Sequence, residues 1–135
     1  MVSYILISLT DRTKLAKALK ADVFISLHCN HTKNSGATGT EVFVANAALS
    51  QNLSQSIYLA HQIHFGITTN FGIKSRGVKF ANFQVLRETI GLCPSILVEL
   101  CFLSNSDEAE YLSENSNLKA LAFSILNSLI KSSEL

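Results

Sequence analysis

Apolar and polar positions along this chain switch repeatedly between a compact-run rhythm and a helical one. An apolar start suggests a first strand ending near Leu9, after which Thr10 can cap a helix over about residues 11–20 with Leu15, Ala16 and Leu19 facing inward. The run Ala21-Asp22-Val23-Phe24-Ile25-Ser26-Leu27 then leads as a strand into His28. A loop rich in Gly, Ser, Thr and Asn follows from His31 to Gly39, and Thr40–Ala45 alternates as a further strand. Leu49, Leu53, Ile57, Ala60 and Ile63 recur at helical spacing, defining a longer helix. Residues from Gly66 to Gly77 read as a loop, and Val78 to Leu86 as one or two short strands. Pro94, the only proline, opens a strand Ser95-Ile96-Leu97-Val98 that runs into Glu99, a position where proline is tolerated. Asn105 or Ser106 caps a short helix with Asp107 and Glu108 in its first turn, where negative charge suits the helix dipole. Leu118, Leu121, Ala122, Ile125, Leu126, Leu129 and Ile130 form the apolar face of a last helix.

Strands alternating with helices predict an α/β fold, a mostly parallel sheet flanked by helices, in a single domain over residues 1–135. A hydrophobic content of 47% places the chain among globular proteins. The net charge of +1, with no basic cluster, argues against nucleic-acid binding. No apolar run reaches the length of a membrane span. Met1 to Leu9 lacks a positive leader and a small-residue cleavage site, so it is read as strand rather than signal peptide. Cys29, Cys93 and Cys101 form no Cys-x-x-Cys pair and are read as small buried hydrophobes, not a disulfide framework.

Two of these strands each stop at an ionisable residue, and in open α/β sheets ligands gather beyond the carboxyl ends of parallel strands. His28 is a candidate metal ligand because neutral imidazole is the commonest metal-binding side chain. Taken alone, a histidine after an apolar run is more often structural. Glu99 is the stronger candidate: a carboxylate after Ile96-Leu97-Val98 is costly to bury without a partner or a proton. A general base beside a metal explains it better than an ion pair. His31 lies three positions from His28, and His61 and His64 are spaced i, i+3, a pair best read as an exposed helix face. A cysteine or serine hydrolase is poorly supported: Cys29 adjoins His28 and would face the other side of the strand, and no Gly-x-Ser-x-Gly elbow exists. Gly36 and Gly39 are too sparse for a phosphate loop.

The segments Ala21-Asp22-Val23-Phe24-Ile25-Ser26-Leu27-His28-Cys29-Asn30, Gly39-Thr40-Glu41-Val42-Phe43 and Val98-Glu99-Leu100-Cys101-Phe102-Leu103-Ser104-Asn105 together resemble the zinc-dependent N-acetylmuramoyl-L-alanine amidases of the amidase-3 type. Arg76-Gly77-Val78-Lys79, Phe83-Gln84-Val85-Leu86 and Pro94-Ser95-Ile96-Leu97 fit the same family in the same order. The resemblance implies cleavage of the amide between N-acetylmuramic acid and the L-alanine of the peptidoglycan stem. By it, His28 matches a zinc-binding histidine and Glu99 the catalytic glutamate, while Cys101 stands where the family usually has glycine. Substrate-binding residues are not assigned.

The family also carries, upstream of the part that matches, a histidine-glycine-glycine segment and a glutamate that complete its zinc site. The resemblance therefore implies the C-terminal part of an amidase-3-like catalytic domain, truncated at its N-terminus. Such a chain is expected to bind Zn2+ weakly, to be nearly inactive alone, and to expose a sheet edge and apolar surface. The partner implied is peptidoglycan, and the location implied is the cell envelope, periplasmic or extracellular. The oligomeric state is left open. The alternative is a non-catalytic peptidoglycan-binding or interaction module that keeps the amidase fold.

Overall fold

The structure, a computed structural model, describes residues 5–133. Nine elements follow in order: α1 (Leu9–Ala18), β1 (Phe24–Asn30), β2 (Thr40–Ala45), α2 (Leu53–Phe71), β3 (Ser75–Ala81), α3 (Gln84–Thr89), β4 (Ser95–Phe102), α4 (Ser106–Ser113) and α5 (Asn115–Ser133). The four strands form one sheet in the order β1-β4-β2-β3. β1 runs parallel to β4 and β2 parallel to β3, while β2 and β4 are antiparallel. The sheet is thus mostly parallel and flanked by helices.

The two faces of the sheet differ in chemistry. Val42 and Val44 from β2, with Ile96 and Val98 from β4, point to one face and meet Leu59, Ala60, Ile63 and Ile67 of α2 and Leu121 and Ile125 of α5 in the main core. The opposite face carries a smaller core of Ala45 and Leu97 under Val85, Leu86 and Ile90, with Phe24 and Phe43 beside it. Strand side chains alternate, so the residues between the main-core positions must share this second face with α3. His28, Glu41 and Glu99 are among them.

Several sequence expectations hold closely. Thr40–Ala45 is a strand, Pro94 immediately precedes β4, and Asn105 caps α4 by accepting hydrogen bonds from the backbone N–H of Asp107 and Glu108, both at 3.1 Å. Others are corrected. Met1 to Tyr4 of the expected first strand lie outside the described residues; residues 5–8 are not strand, and Ser8 rather than Thr10 caps a helix that begins at Leu9. That helix turns Thr13 and Ala16 inward and leaves Leu15 and Leu19 exposed. The cause is polar: Thr13 Oγ1 donates to Glu88 Oε2 at 2.6 Å and Gln84 Nε2 donates to Thr10 Oγ1 at 3.1 Å, clasping α1 to α3 by its polar side.

The region from Gly66 to Gly77 is not a loop. α2 continues to Phe71 and ends at Gly72, whose positive φ of 64° closes the helix. Gly66 lies within α2 where a Cβ would come within 3.0 Å of Ser124 Oγ and 3.1 Å of Ser128 Oγ on α5, so it serves close helix packing rather than a turn. The same contact rotates α5: Leu121, Ser124, Ile125 and Ser128 are buried, whereas Leu118, Leu126 and Ile130 of the expected apolar face are exposed. Leu49 lies before α2 and is exposed, and Leu86 belongs to a helix, α3, rather than a strand. Cys93 and Cys101 are buried as expected, but Cys29 is exposed.

These packing assignments predict contrasting costs of truncation. Ile96→Ala, in the fully buried centre of β4, should lower unfolding free energy by about 2–5 kcal/mol. Leu19→Ala, at a site 71% exposed, should change it by no more than about 0.5 kcal/mol, as read by urea denaturation.

Candidate functional site

Neither His28 nor Glu99 ends its strand: β1 runs on to Asn30 and β4 to Phe102. The ladder continues because Leu103 N–H donates to Asn30 O at 2.8 Å, and the register slips between His28 and Asn30 so that β4 carries an extra residue. Within the ladder His28 is paired with Glu99, and Glu99 with Glu41 of antiparallel β2. Directly opposed residues on one face have Cβ atoms about 4.5–5.5 Å apart. Three ionisable side chains therefore stand in a row across three strands.

A fourth strand joins through a second irregularity. Between Thr40 and Val42 of β2, β3 has one residue more than its partner, and Gly77 takes up a φ of 89° there. Only glycine adopts that conformation without steric cost. Both basic residues flanking this bulge reach Glu41: Lys79 Nζ lies 2.5 Å and Arg76 Nε 3.5 Å from its Oε2. The other oxygen, Oε1, accepts from Asn30 Nδ2 at 3.0 Å. Arg76 is also fixed independently, stacking 4.9 Å from the centroid of Phe102 and donating to Thr38 O at 3.3 Å.

The Gly-rich segment after β1 is pinned beside this row by α4. Glu108 accepts from Gly39 N–H at 2.7 Å and from Phe102 N–H at 2.6 Å, while Asn105 Nδ2 donates to Ser35 O at 3.0 Å. Gly39, with φ 111°, passes so close to β3 that a Cβ would lie 2.5 Å from Lys74 O.

Charge distribution across the row is uneven. Burial, and secondarily the neighbouring Glu41, pushes the Glu99 carboxyl above the usual range, and its Oε2 is buried without a hydrogen-bond partner among the described residues. Burial, and secondarily Arg12 on α1, lowers the His28 pKa and favours neutral imidazole. Ser26 Oγ stands 2.6 Å from His28 Nε2 and orients the ring. Burial is also the main cause that pushes the Cys101 thiol up to about 12, so Cys101 is no nucleophile.

The helical pair His61 and His64 does not join His28. His61 and His64 lie on α2, which packs on the opposite face, and His64 Nε2 is 3.0 Å from Ser75 Oγ. Zinc needs about three protein ligands in a catalytic site. Among the described residues no group of three His, Cys, Asp or Glu side chains is placed to hold a metal. The orphaned Glu99 oxygen suits a proton or a cation, but the donor set present does not fit a zinc, and no step is drawn through one. A separate cleft lies at the opposite end of the sheet, between Asp22, Tyr58, Pro94 and Leu129.

No sequence pattern groups Glu41, Asn30, Arg76, Lys79 and Glu108 into a site. One signal did exist: Glu41 shares strand parity with Phe43 and lies between the inward Thr40 and Val42, so its carboxylate had to be buried or partnered.

The fold and site define an α/β domain with a row of ionisable side chains across one sheet face, opposite its main core. The comparisons specify the family. The family model described as N-acetylmuramoyl-L-alanine amidase, of the amidase-3 type, matches residues 4–131, and the chain belongs to this family. It is 37% identical over 114 residues to the endolysin of Bacillus phage SPP1, covering 84% of this chain and 41% of that protein. It is 34% identical over 107 residues to the N-acetylmuramoyl-L-alanine amidase LytC of Bacillus subtilis, covering 79% of this chain and 21% of that one. The solved N-acetylmuramoyl-L-alanine amidase of Clostridium difficile superposes with a TM-score of 0.85 at 33% identity, over 95% of this chain and 66% of that structure. The chain thus spans well under half the length of these two sequence relatives.

Replacing Glu99 with Gln removes a charge that folding desolvates. A carboxyl with a raised folded pKa binds more protons folded than unfolded, so its stability contribution falls as pH rises. Glu99→Gln should therefore raise Tm at neutral pH, and the advantage should vanish in acid once the wild-type carboxyl is protonated in both states; differential scanning calorimetry at several pH values measures this.

Proposed function

We propose that this chain carries the proton-handling part of a peptidoglycan amidase, acting on the amide between N-acetylmuramic acid and L-alanine. The observation that carries the reading is the in-register placement of Glu99 between His28 and Glu41, with a buried free carboxylate oxygen. Membership of the amidase family over nearly the whole chain supports the substrate class. Glu99 takes a proton from the water that attacks the amide carbonyl and passes it to the departing amine. The products are the lactyl carboxylic acid and the free amino terminus of the stem peptide. The raised proton affinity of Glu99 suits a group that must both accept and return that proton. His28, neutral and held by Ser26, is the residue we assign as a metal ligand, one of the three that a catalytic zinc requires. The same reading places the chain's work in the cell envelope. No described helix is long and apolar enough to cross a membrane.

With fewer than three candidate ligands convergent among the described residues, the 135-residue chain should hold zinc weakly and release amino termini from muropeptides only slowly. Equilibrium dialysis against Zn2+ and a free-amine assay on purified sacculi test this. One tightly held zinc with turnover lost in both His28→Ala and Glu99→Gln would refute the incomplete-site reading and establish the chain as a self-sufficient amidase.

The shortage of ligands also favours a second reading, a non-catalytic peptidoglycan-binding module with the amidase fold. Sacculus pull-down that persists in Glu99→Gln and in the presence of a chelator, without any turnover, would support it.

A further inference from the structure

Lys79 is the cation in this row that the fold needs least. Glu41, the carboxylate it meets, is 7% exposed and already has Asn30 on one oxygen and Arg76 beside the other. Arg76 has its own anchors in Phe102 and Thr38. Lys79 has no described partner but Glu41, and its side chain remains 43% exposed. An ammonium has three N–H donors, of which Glu41 uses one. One buried carboxylate is thus matched with two cations, and the more accessible of them keeps donors free on the face that carries Glu99.

We propose that Lys79, held in place by Glu41, is a specificity-determining residue that binds a carboxylate of the stem peptide one residue beyond the scissile amide. This rests on the amidase reading given above. The scissile nitrogen belongs to the first stem residue, and the next Cα is about 3.8 Å farther along the chain. The Lys79 ammonium lies on the Glu41 carboxylate, which is one strand, about 4.8 Å, from Glu99, so a peptide crossing from Glu99 toward β3 comes beside it about one residue farther along. A carboxylate on the second residue then falls toward the Lys79 ammonium. In peptidoglycan that residue is a glutamate linked through its side chain, whose main-chain carboxyl is either free or amidated. A free carboxylate gains a charge-assisted hydrogen bond from Lys79; a carboxamide does not. Glu41 acts as a positioning residue, since it sets the ammonium's location without needing to touch the substrate.

The test is binding of two N-acetylmuramoyl tripeptides to the full chain by calorimetry, identical except for a free carboxylate or a carboxamide on the second residue. The free-carboxylate form should bind roughly tenfold more tightly, the usual scale for a charge-assisted bond. Lys79→Met should erase that preference and Lys79→Arg retain it, with circular dichroism confirming that each variant is folded. Equal affinity of the two ligands for the unaltered chain would overturn the role of Lys79 and leave the amidase reading standing. A preference that survives Lys79→Met would likewise overturn it. If neither ligand binds, the substrate assignment itself fails and the role of Lys79 with it.

Discussion

The buried carboxylate of Glu41 is the contact on which the arrangement of this site depends, because it touches or faces every strand of the sheet. It is in register with Glu99 on β4, accepts from Asn30 at the end of β1, and meets Lys79 and Arg76 from β3. A carboxylate removed from water must be compensated, and here the compensation comes from both outer strands. The edge strands β1 and β3 are thereby tied toward a centre that the hydrophobic contacts of the other face do not reach. That face stays dry and apolar under α2 and α5, which lets the polar face be organised around charge.

Two bulges make this possible. A regular ladder places side chains strictly in alternation, so Arg76 and Lys79, three residues apart, would point to opposite faces. The extra residue of β3 at Gly77 changes the parity and brings both to Glu41. The extra residue of β4 beyond Glu99 similarly lets Asn30 and Phe102 pair after His28 and Glu99 have done so. Phe102 supplies the ring on which Arg76 rests, and Glu108 receives the Phe102 N–H. The irregularities are thus the means by which a sheet with period-two side chains assembles a cluster of mixed charge.

Local chemistry was legible where one residue type has one structural use. Pro94 before a strand, Asn105 ahead of two acidic residues, and the apolar-polar alternation of Thr40–Ala45 each led to the element found. Legibility failed where tertiary contact decides. Gly66 looks like a loop residue until α5 presents Ser124 and Ser128 to it, and Leu15 and Leu19 look like a core stripe until Thr13 and Glu88 clasp α1 the other way. Of the site, His28 and Glu99 could be identified because each interrupts an apolar run. Glu41, Arg76 and Lys79 could not be grouped, since their meeting requires an antiparallel pairing and a bulge that no local pattern encodes.

The antiparallel β2–β4 pairing has a further consequence for chemistry. In a parallel pair, strand ends coincide and functional groups project together from one edge; with β2 reversed, Glu41 near its start lies against Glu99 within β4. Two carboxylates so placed cannot both ionise as freely as either alone. Lys79 and Arg76 both lie on Glu41, whereas Glu99 has no cation of its own among the described residues, and burial, then the neighbouring Glu41, raises its proton affinity. The sheet topology thus divides two chemically similar residues into one bridged to two cations and one with a buried oxygen left without a partner among the described residues. Reversing either the bulge at Gly77 or the direction of β2 would remove that division, because the cations would no longer choose between the two carboxylates.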